Sequence, residues 1–526
     1  MCSFSLNAQQ TVGVFNNQNG TQDGYTLFSP NTSTYLIDNC GRMIKEWESE
    51  HQVSVSVYLQ ENGDLLRSSR VSGGSFSGGG AAGRIERFNW DGDLEWTYEY
   101  ANAEYQAHHD FEPLPNGNIL LIAWERRSAL EHEDAGGITP VEIWSEKVVE
   151  LKPLGKNNAQ VVWEWYIWDR AIQAENPDLP NYGLLEDHPE RLDINFGKSF
   201  PDWIHFNAID YNVQRDEILL SSRNTNEIYI IDHSTTTEEA AGRVGGNKGK
   251  GGDFLFRWGN PRNHGVDTNQ QLFGQHDAQW IPEGYPDAGE ITIFNNNNPS
   301  ELGLYSSVIQ INPYENGNYT VNSEKAFLPE TVNWSYTSIF QPNFHEPKQC
   351  GAMRLANGNT LITNSRKGVL FEVDQDGVEQ WRYHNPVALS GPVVQGATFN
   401  NSSIFRAVKY AASYVAFDNK DMTPGLPIEL MPANDFCTNT ATTEQSKEAA
   451  INLLNQSTED VLTFNVQNTS EWTIQIFDIT GKLVKQSNIS QYQSIINTAT
   501  LLSGNYFVKA IDVSSQEYQA FKFVKK

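Results

Sequence analysis

PLPNGNILLIAWER (113–126) sets Asn116-Gly117 directly ahead of a run of apolar residues. Asn-Gly accepts the positive φ values of a tight hairpin turn, and the run after it has the length and composition of a strand. The pattern returns in LQENGDLLRSSR (59–70) and RLANGNTLITNSR (354–366), and in looser form at about 11–28, 204–222 and 275–295. Six hairpins are expected. Between them runs a second pattern, an apolar strand, a polar turn and a strand ending in Trp and other aromatics. It is read in YLIDNCGRMIKEW (35–47), IERFNWDGDLEWTY (85–98), VVELKPLGKNNAQVVWEW (148–165) and VLFEVDQDGVEQWRY (369–383). Longer-looped copies run from EIYIID (227–232) to FLFRW (254–258) and from SVIQIN (307–312) to VNWSY (332–336).

Four strands per unit, repeated six times without helical periodicity, predict an all-β chain whose residues 11–435 form a six-bladed β-propeller. Radial closure removes the sheet edges that an open array exposes. SIFRAVKYAASYVAF (403–417) follows the last unit and is expected to help close the ring. The polar stretch 436–450 reads as a linker. The short strands beyond it predict a small Ig-like β-sandwich over 451–526.

A formal charge of −28 on 526 residues opposes phosphate backbones and anionic membranes, so a nucleic-acid partner is excluded. No apolar run approaches bilayer length, so no transmembrane segment is expected. MCSFSLNAQQTVGVF resembles the end of a secretory signal, and residues 1–10 are read as its remnant. Cys2, Cys40, Cys350 and Cys437 have no metal-site spacing and no metal is expected; outside the cell one disulfide among the last three is expected, with its pairing open.

Three hairpins begin with histidine in equivalent places: HHDFEPLPNGNILL (108–121), HFNAIDYNVQRDEILLSSR (205–223) and QHDAQWIPEGYPDAGEITIF (275–294). In a propeller the first strand of each blade lines the axis, so His109, His205 and His276 converge despite their separation in sequence. The plainer reading is that each His, with Asp110, Asn207 or Asp277, ties its strand to the next blade. Three imidazoles at one repeat position favour a site. Arg70, Arg126, Arg223 and Arg366 recur after the hairpins. Arg223, whose own hairpin begins with His205, is the best candidate for bidentate binding of an oxyanion.

DWIHFNAIDYNVQRDEILLSSRNTNEIYIID (202–232), GDFLFRWGNP (252–261) and LFGQHDAQW (272–280) resemble the bacterial arylsulfotransferases, over roughly 20–420. The resemblance implies a β-propeller enzyme that moves a sulfuryl group from an aryl sulfate ester to a phenolic acceptor without a nucleotide donor or other cofactor. It implies that His276 is transiently sulfurylated, and that His205, Asn207 and Arg223 bind the sulfate group. His109 matches a further active-site histidine, with His108 of the doublet competing for that place or for substrate contact. The family's N-terminal β-sandwich has no counterpart in this sequence.

IFDITGKLVKQ (476–486), LLSGNYFVKA (501–510) and the terminal KFVKK resemble the C-terminal sorting domain of type IX secretion in Bacteroidetes. That implies export through the periplasm by the type IX machinery and a secreted or cell-surface protein.

These residue types suit the chemistry. A loose sulfuryl transition state spreads negative charge over its peripheral oxygens, as a phosphoryl group does, so cationic donors and positioning dominate. A neutral His276 would attack sulfur, and His109 would protonate the departing phenolate. Asp277 is not expected to orient His276, because neighbours on a strand face opposite ways. The alternatives are a non-catalytic propeller that binds sulfated or anionic glycans, and an aryl sulfate hydrolase on the same site. The Gly-rich stretches SGGSFSGGGAAG (72–83) and GGNKGKGGDF (245–254) lack the Gly-Lys-Ser/Thr of a phosphate loop and read as flexible surface or channel-rim loops.

Overall fold

The structure, a computed structural model, describes residues 10–196, 201–338, 343–397, 402–432, 451–453, 457–458, 460–466, 471–478, 482–490, 493–513 and 518–526. The suspected signal remnant, apart from Gln10, and the linker lie outside the described residues. The chain divides into two compact units, Met1–Phe436 and Cys437–Lys526.

The first unit contains six antiparallel sheets of four or five strands. Five begin with an expected hairpin: Val53–Leu59 with Leu65–Arg70, Tyr105–Pro113 with Ile119–Arg127, Phe206–Asn212 with Glu217–Ser222, His276–Trp280 with Ile291–Asn298, and Gly351–Arg354 with Thr360–Asn364. The hairpin expected at 11–28 is not formed. Gly13–Asn17 is the outer edge of the last sheet, on Glu379–His384, whereas Gly24–Phe28 pairs with Val408–Ala411 in the first. Both halves have strand patterns, but their partners are supplied from the far end of the chain. The segment 403–417 thus provides the inner strand of the first sheet.

Each sheet is fastened to the next at two levels. At the outer level, the fourth strand carries a tryptophan whose Nε1–H donates to a backbone carbonyl in or beside an outer turn of the next sheet. Trp47 donates to Asn89 (2.9 Å), Trp96 to Asn158 (2.9 Å), Trp165 to Gly252 (2.7 Å), Trp258 to Pro329 (2.9 Å) and Trp334 to Gln375 (2.8 Å). Trp381 of the last sheet donates to Asn39 of the first at 2.8 Å. Trp47, Trp96, Trp165 and Trp381 are fully buried. A buried indole removes about 150–250 Å² from water, worth on the order of 4–6 kcal/mol at about 25 cal/mol per Å² before entropy is subtracted.

At the inner level, side chains of one inner strand bond to the next. Asp110 accepts Ile209 N–H at 3.2 Å, Asp210 accepts Trp280 N–H at 2.6 Å, and Asp277 accepts Ala352 N–H at 2.9 Å. The Ser56 hydroxyl donates to His109 O, Ala407 N–H to the Thr363 hydroxyl, and Leu59 N–H to the Tyr410 hydroxyl.

Among the described residues no helix is long and apolar enough to cross a membrane. Cys40 is disulfide-bonded. Cys350, an expected candidate for that bond, is instead a buried free thiol. The acidic segment at 131–137 begins inside the short helix Ala129–Asp134, capped reciprocally by Ser128 and Glu131.

The second unit has a three-stranded sheet (Ile451–Leu453, Val461–Val466, Gln493–Asn497) and a five-stranded one (Ser457–Thr458, Tyr518–Lys525, Gly504–Asp512, Trp472–Phe477, Leu483–Ile489). Alternate residues Ile474, Ile476, Val508 and Ala510 of the larger sheet pack with Leu462, Phe464 and Ile496 of the smaller in one core. This is the period-2 pattern of strands with one buried face.

Candidate active site

The three hairpin histidines sit where the inner strands break register. The pairing slips between Leu121 and Ala123 opposite His109, between Phe206 and Ala208, and between His276 and Gln279. His109 (φ 49°), His205 (φ 58°) and Asp277 (φ 54°) are left-handed, a conformation that non-glycine residues seldom adopt. Such bulges re-aim side chains, and strained backbone persists where the surroundings over-determine it. Here they let the imidazole and its neighbouring Asp leave the strand in directions that simple alternation forbids.

The carboxylates take the tying role. Asp110 and Asp277 hold the next inner strand through the backbone bonds above, and Asn207 Nδ2 donates to Gln275 O at 2.7 Å. Asn207 Oδ1 is buried without a partner among the described residues. The imidazoles are left for one another: the His109 and His205 ring centroids lie 4.6 Å apart. The Phe405 ring lies 6.2 Å from that of His109 and 6.4 Å from that of His276.

His276 is held in one tautomer. Its Nδ1–H donates to Asn296 Oδ1 at 2.9 Å and to Gly274 O at 3.1 Å. Asn296 cannot turn its amide over, because its Nδ2 donates to Glu346 O and Gln349 O at 2.8 and 2.9 Å. The lone pair therefore sits on Nε2, where it accepts Gln349 N–H at 3.1 Å. Burial pushes the His276 pKa down to about 3; the Asn296 bond opposes this, and His205 and Arg223 add to it. The ring is neutral at pH 7, which a nitrogen nucleophile requires.

His205 Nδ1 faces Asp202 Oδ2 at 2.5 Å, and Asp202 Oδ1 accepts Trp124 Nε1–H at 3.1 Å. Burial raises the Asp202 pKa, but the hydrogen bond and charge of His205 outweigh it and hold the carboxyl below its usual range. His109 Nδ1 meets His108 Nδ1 at 2.8 Å, and His108 Nε2 meets Glu146 Oε2 at 2.7 Å. His108 is stacked on Trp124 at 4.0 Å and is closed off from solvent, so its ring serves His109. Burial holds both pKa values well below the usual range, and His205 and Arg223 contribute further at His109.

Arg223 is half-buried, and among the described residues its guanidinium has one side-chain partner, Asn224 Oδ1 at 3.2 Å, and no carboxylate. Arg126 is committed to Glu142, and Arg70 and Arg366 are exposed. The Gly-rich stretch 72–83 is a packed rim. Phe76 stacks on Trp124 at 5.9 Å, and a Cβ on Gly80 would lie 2.2 Å from His109 Nε2.

Asp202, Glu146, Trp124, Asn296, Gln349 and Arg406 escaped the sequence reading. Only Asp202 carried a local sign, standing three residues before His205. The others come from second and third strands or loops that register alone brings to the histidines or, for Arg406, to Asp110 and Asp277. Among the described residues no group of His, Cys, Asp and Glu is arranged to hold a metal ion.

The sequence profile of the "Secretion system C-terminal sorting domain" matches residues 458–526. It marks the chain for export by type IX secretion to the cell surface or the medium. No curated protein sequence matches the chain. Similar solved structures include a protein of unknown function from Bacteroides caccae (12% identity, TM-score 0.39, covering 74% of this chain and 98% of that one). A streptogramin B lyase is similar at 12% identity and TM-score 0.35, covering 77% and 88%. A catalytically inactive virginiamycin B lyase from Staphylococcus aureus is similar at 10% identity and TM-score 0.32, covering 73% and 91%. These likenesses are too slight to bear on function. The profile described as "Arylsulfotransferase (ASST)" matches residues 11–379, more than half of the chain, which therefore belongs to the arylsulfotransferase family and is an arylsulfotransferase.

Proposed function

We propose that the enzyme moves a sulfuryl group from an aryl sulfate ester to a phenol in two steps through a sulfohistidine on His276, without a nucleotide donor. The observation that carries this reading is the fixed tautomer of His276, a neutral imidazole with its lone pair on Nε2, within the electrostatic reach of Arg223 and His205. In the first step the Nε2–S bond forms as the S–O(aryl) bond breaks, and the phenolate takes a proton from His109. In the second, the acceptor phenol oxygen attacks sulfur, the N–S bond breaks, and the phenol proton returns to His109. Arg223 and His205 donate hydrogen bonds to the peripheral sulfuryl oxygens. Gln349 N–H must leave the His276 lone pair as sulfur arrives, and it then donates to a sulfuryl oxygen. Asn207 secures the Gln275 carbonyl and thus the entry into the His276 strand.

The six sheets are read as the blades of one closed propeller. The tryptophan and inner-strand bonds that lead from each sheet to the next and from the last to the first support this. The second unit is read as an Ig-like sandwich, supported by its two sheets on one core. Mass spectrometry of the His276 peptide after incubation with a chromogenic aryl sulfate alone tests the mechanism. A sulfuryl adduct discharged by phenol is expected. Colour release without an adduct or sulfated phenol would mean hydrolysis, and no colour at all would leave an anion-binding protein.

A further inference from the structure

His108 and Glu146 lie behind the histidine that faces the phenolic oxygens, and neither reaches a substrate. The three groups form an unbranched chain: Glu146 Oε2 to His108 Nε2 at 2.7 Å, then His108 Nδ1 to His109 Nδ1 at 2.8 Å. The side chains of Glu146 and His108 are fully enclosed. The other Glu146 oxygen accepts Phe206 N–H at 2.9 Å, which pins the carboxyl. His109 Nε2 is the one end of the chain without a protein partner among the described residues and is not sealed from solvent. Two nitrogens of the same kind face each other in the middle, so one must carry the proton and the other the lone pair.

We infer that Glu146 stores the proton that His109 exchanges with the phenolic oxygens, passing it through His108. This rests on the reading of His109 as general acid and base. In the resting arrangement Glu146 is a carboxylic acid donating to His108 Nε2. His108 Nδ1–H then donates to His109 Nδ1, and His109 presents Nε2–H to the ester oxygen. When the S–O bond breaks, the phenolate takes the Nε2 proton. His109 Nδ1 takes the proton of His108 Nδ1, and His108 Nε2 takes that of Glu146. Each imidazole keeps one proton throughout, and the negative charge of the departed phenolate ends on Glu146. The acceptor phenol reverses every transfer in the second step.

A buried imidazolium is thereby avoided. Burial drives both histidine pKa values down and that of Glu146 well up, with Asp202 adding to the rise and the Phe206 and His205 contacts opposing it. The pair that faces the chain, Asp202 and His205, is closed on itself through Nδ1 and makes no side-chain hydrogen bond to the relay among the described residues. His108 and Glu146 are positioning residues that act through His109.

The test is Glu146→Gln with a series of aryl sulfates of rising phenol pKa. The glutamine oxygen keeps the Phe206 bond and its amide donates to His108, so the ring geometry is retained but no proton can be stored. A nitrophenyl ester, whose leaving group needs no proton, should load His276 at a rate within a few-fold of the parent enzyme. Esters of weakly acidic phenols, and discharge to phenol, should slow by about 10²-fold or more, the size of a lost general acid–base contribution. An equal loss across all donors, or no loss, would overturn the proton store. If this variant fails to fold, difference infrared spectroscopy of the parent enzyme decides: a carboxylic acid band should disappear on loading with donor, and its persistence refutes the inference. Absence of any adduct on parental His276 would instead overturn the two-step reading on which it rests.

Discussion

Asp277 is joined to Arg406, not to the imidazole beside it in sequence: Arg406 Nη1 donates to Asp277 Oδ1 at 2.5 Å, and Nη2 donates to Asp110. One guanidinium, delivered by the segment that completes the first sheet, thereby links the inner strands of the third and fifth. Burial pushes the Asp277 carboxyl up, with Asp110 and Asp210 adding to the rise and the Ala352 N–H bond opposing it, and pushes the Arg406 guanidinium down to about 9. The adjoining Phe405 stands against His109 and His276, and the same few residues that fasten the inner strands also bound the site.

Replacing Arg406 with Met strands two buried carboxylates. Loss of one partner of a buried ion pair costs about 3–5 kcal/mol. Burial already raises both aspartate pKa values, that of Asp110 to about 8, and losing the guanidinium raises them further. The unfolded chain then sheds protons that the folded one keeps, and stability falls as pH rises above the ordinary carboxylate range. Urea denaturation of Arg406→Met should show a larger deficit at about pH 8 than at pH 5. A deficit independent of pH would mean that packing, not charge, explains it.

Gly80 has φ 76°, and its missing Cβ leaves room for the His109 ring. Gly80→Ala strains the backbone and displaces that ring. We expect a fall in kcat of about 10²-fold, the scale of a ~1 Å misplacement, larger than any accompanying loss of thermal stability predicts. Turnover and thermal unfolding measured on one preparation separate the two effects.

His276 is neutral in the fold down to about pH 3 but titrates near 6.5 when unfolded. Between those values the unfolded chain binds a proton that the folded chain does not, so stability declines as pH falls through this window. His276→Gln should flatten the decline by up to about 1.4 kcal/mol per pH unit, the equivalent of one proton. Unfolding free energies between about pH 6 and pH 4 give the slope directly. Turnover should vanish in this variant at every pH.

Arg223→Ala should raise KM for the sulfate ester and lower kcat, because a guanidinium paired with no carboxylate grips the ester in the ground state and binds more strongly as charge builds on the sulfuryl oxygens in the transition state. Arg223→Lys should recover only part of each, since an ammonium lacks the planar fork that grips two oxygens. Initial rates over a range of donor concentrations distinguish the two parameters. Full recovery by Lys would mean that charge alone suffices.

The sorting domain folds on its own core, separate from the first unit's. Removing residues 437–526 should leave aryl sulfate turnover of the purified enzyme unchanged while abolishing export. Fractionation of an expressing strain and a turnover assay on the retained protein report both outcomes.

Local pattern determined much of this protein. Asn-Gly ahead of apolar runs located three of the five hairpins that form, and a tryptophan on each fourth strand marked the points where neighbouring sheets are fastened. His109, His205 and His276 could be singled out because they occupy one repeat position, a property of the sequence itself. The partners of the first strands could not be read so. Gly13–Asn17 and Gly24–Phe28 look like a hairpin, and only the long-range pairing with Glu379–His384 and Val408–Ala411 separates them. Tertiary structure alone likewise brought Asn296, Gln349 and Glu146 to the imidazoles and Arg406 to Asp277 and Asp110. Hydrogen-bond partners are chosen by register and proximity in space, and a bulge of one residue, invisible in hydropathy, decides whether a carboxylate meets the histidine beside it or the arginine of a distant strand.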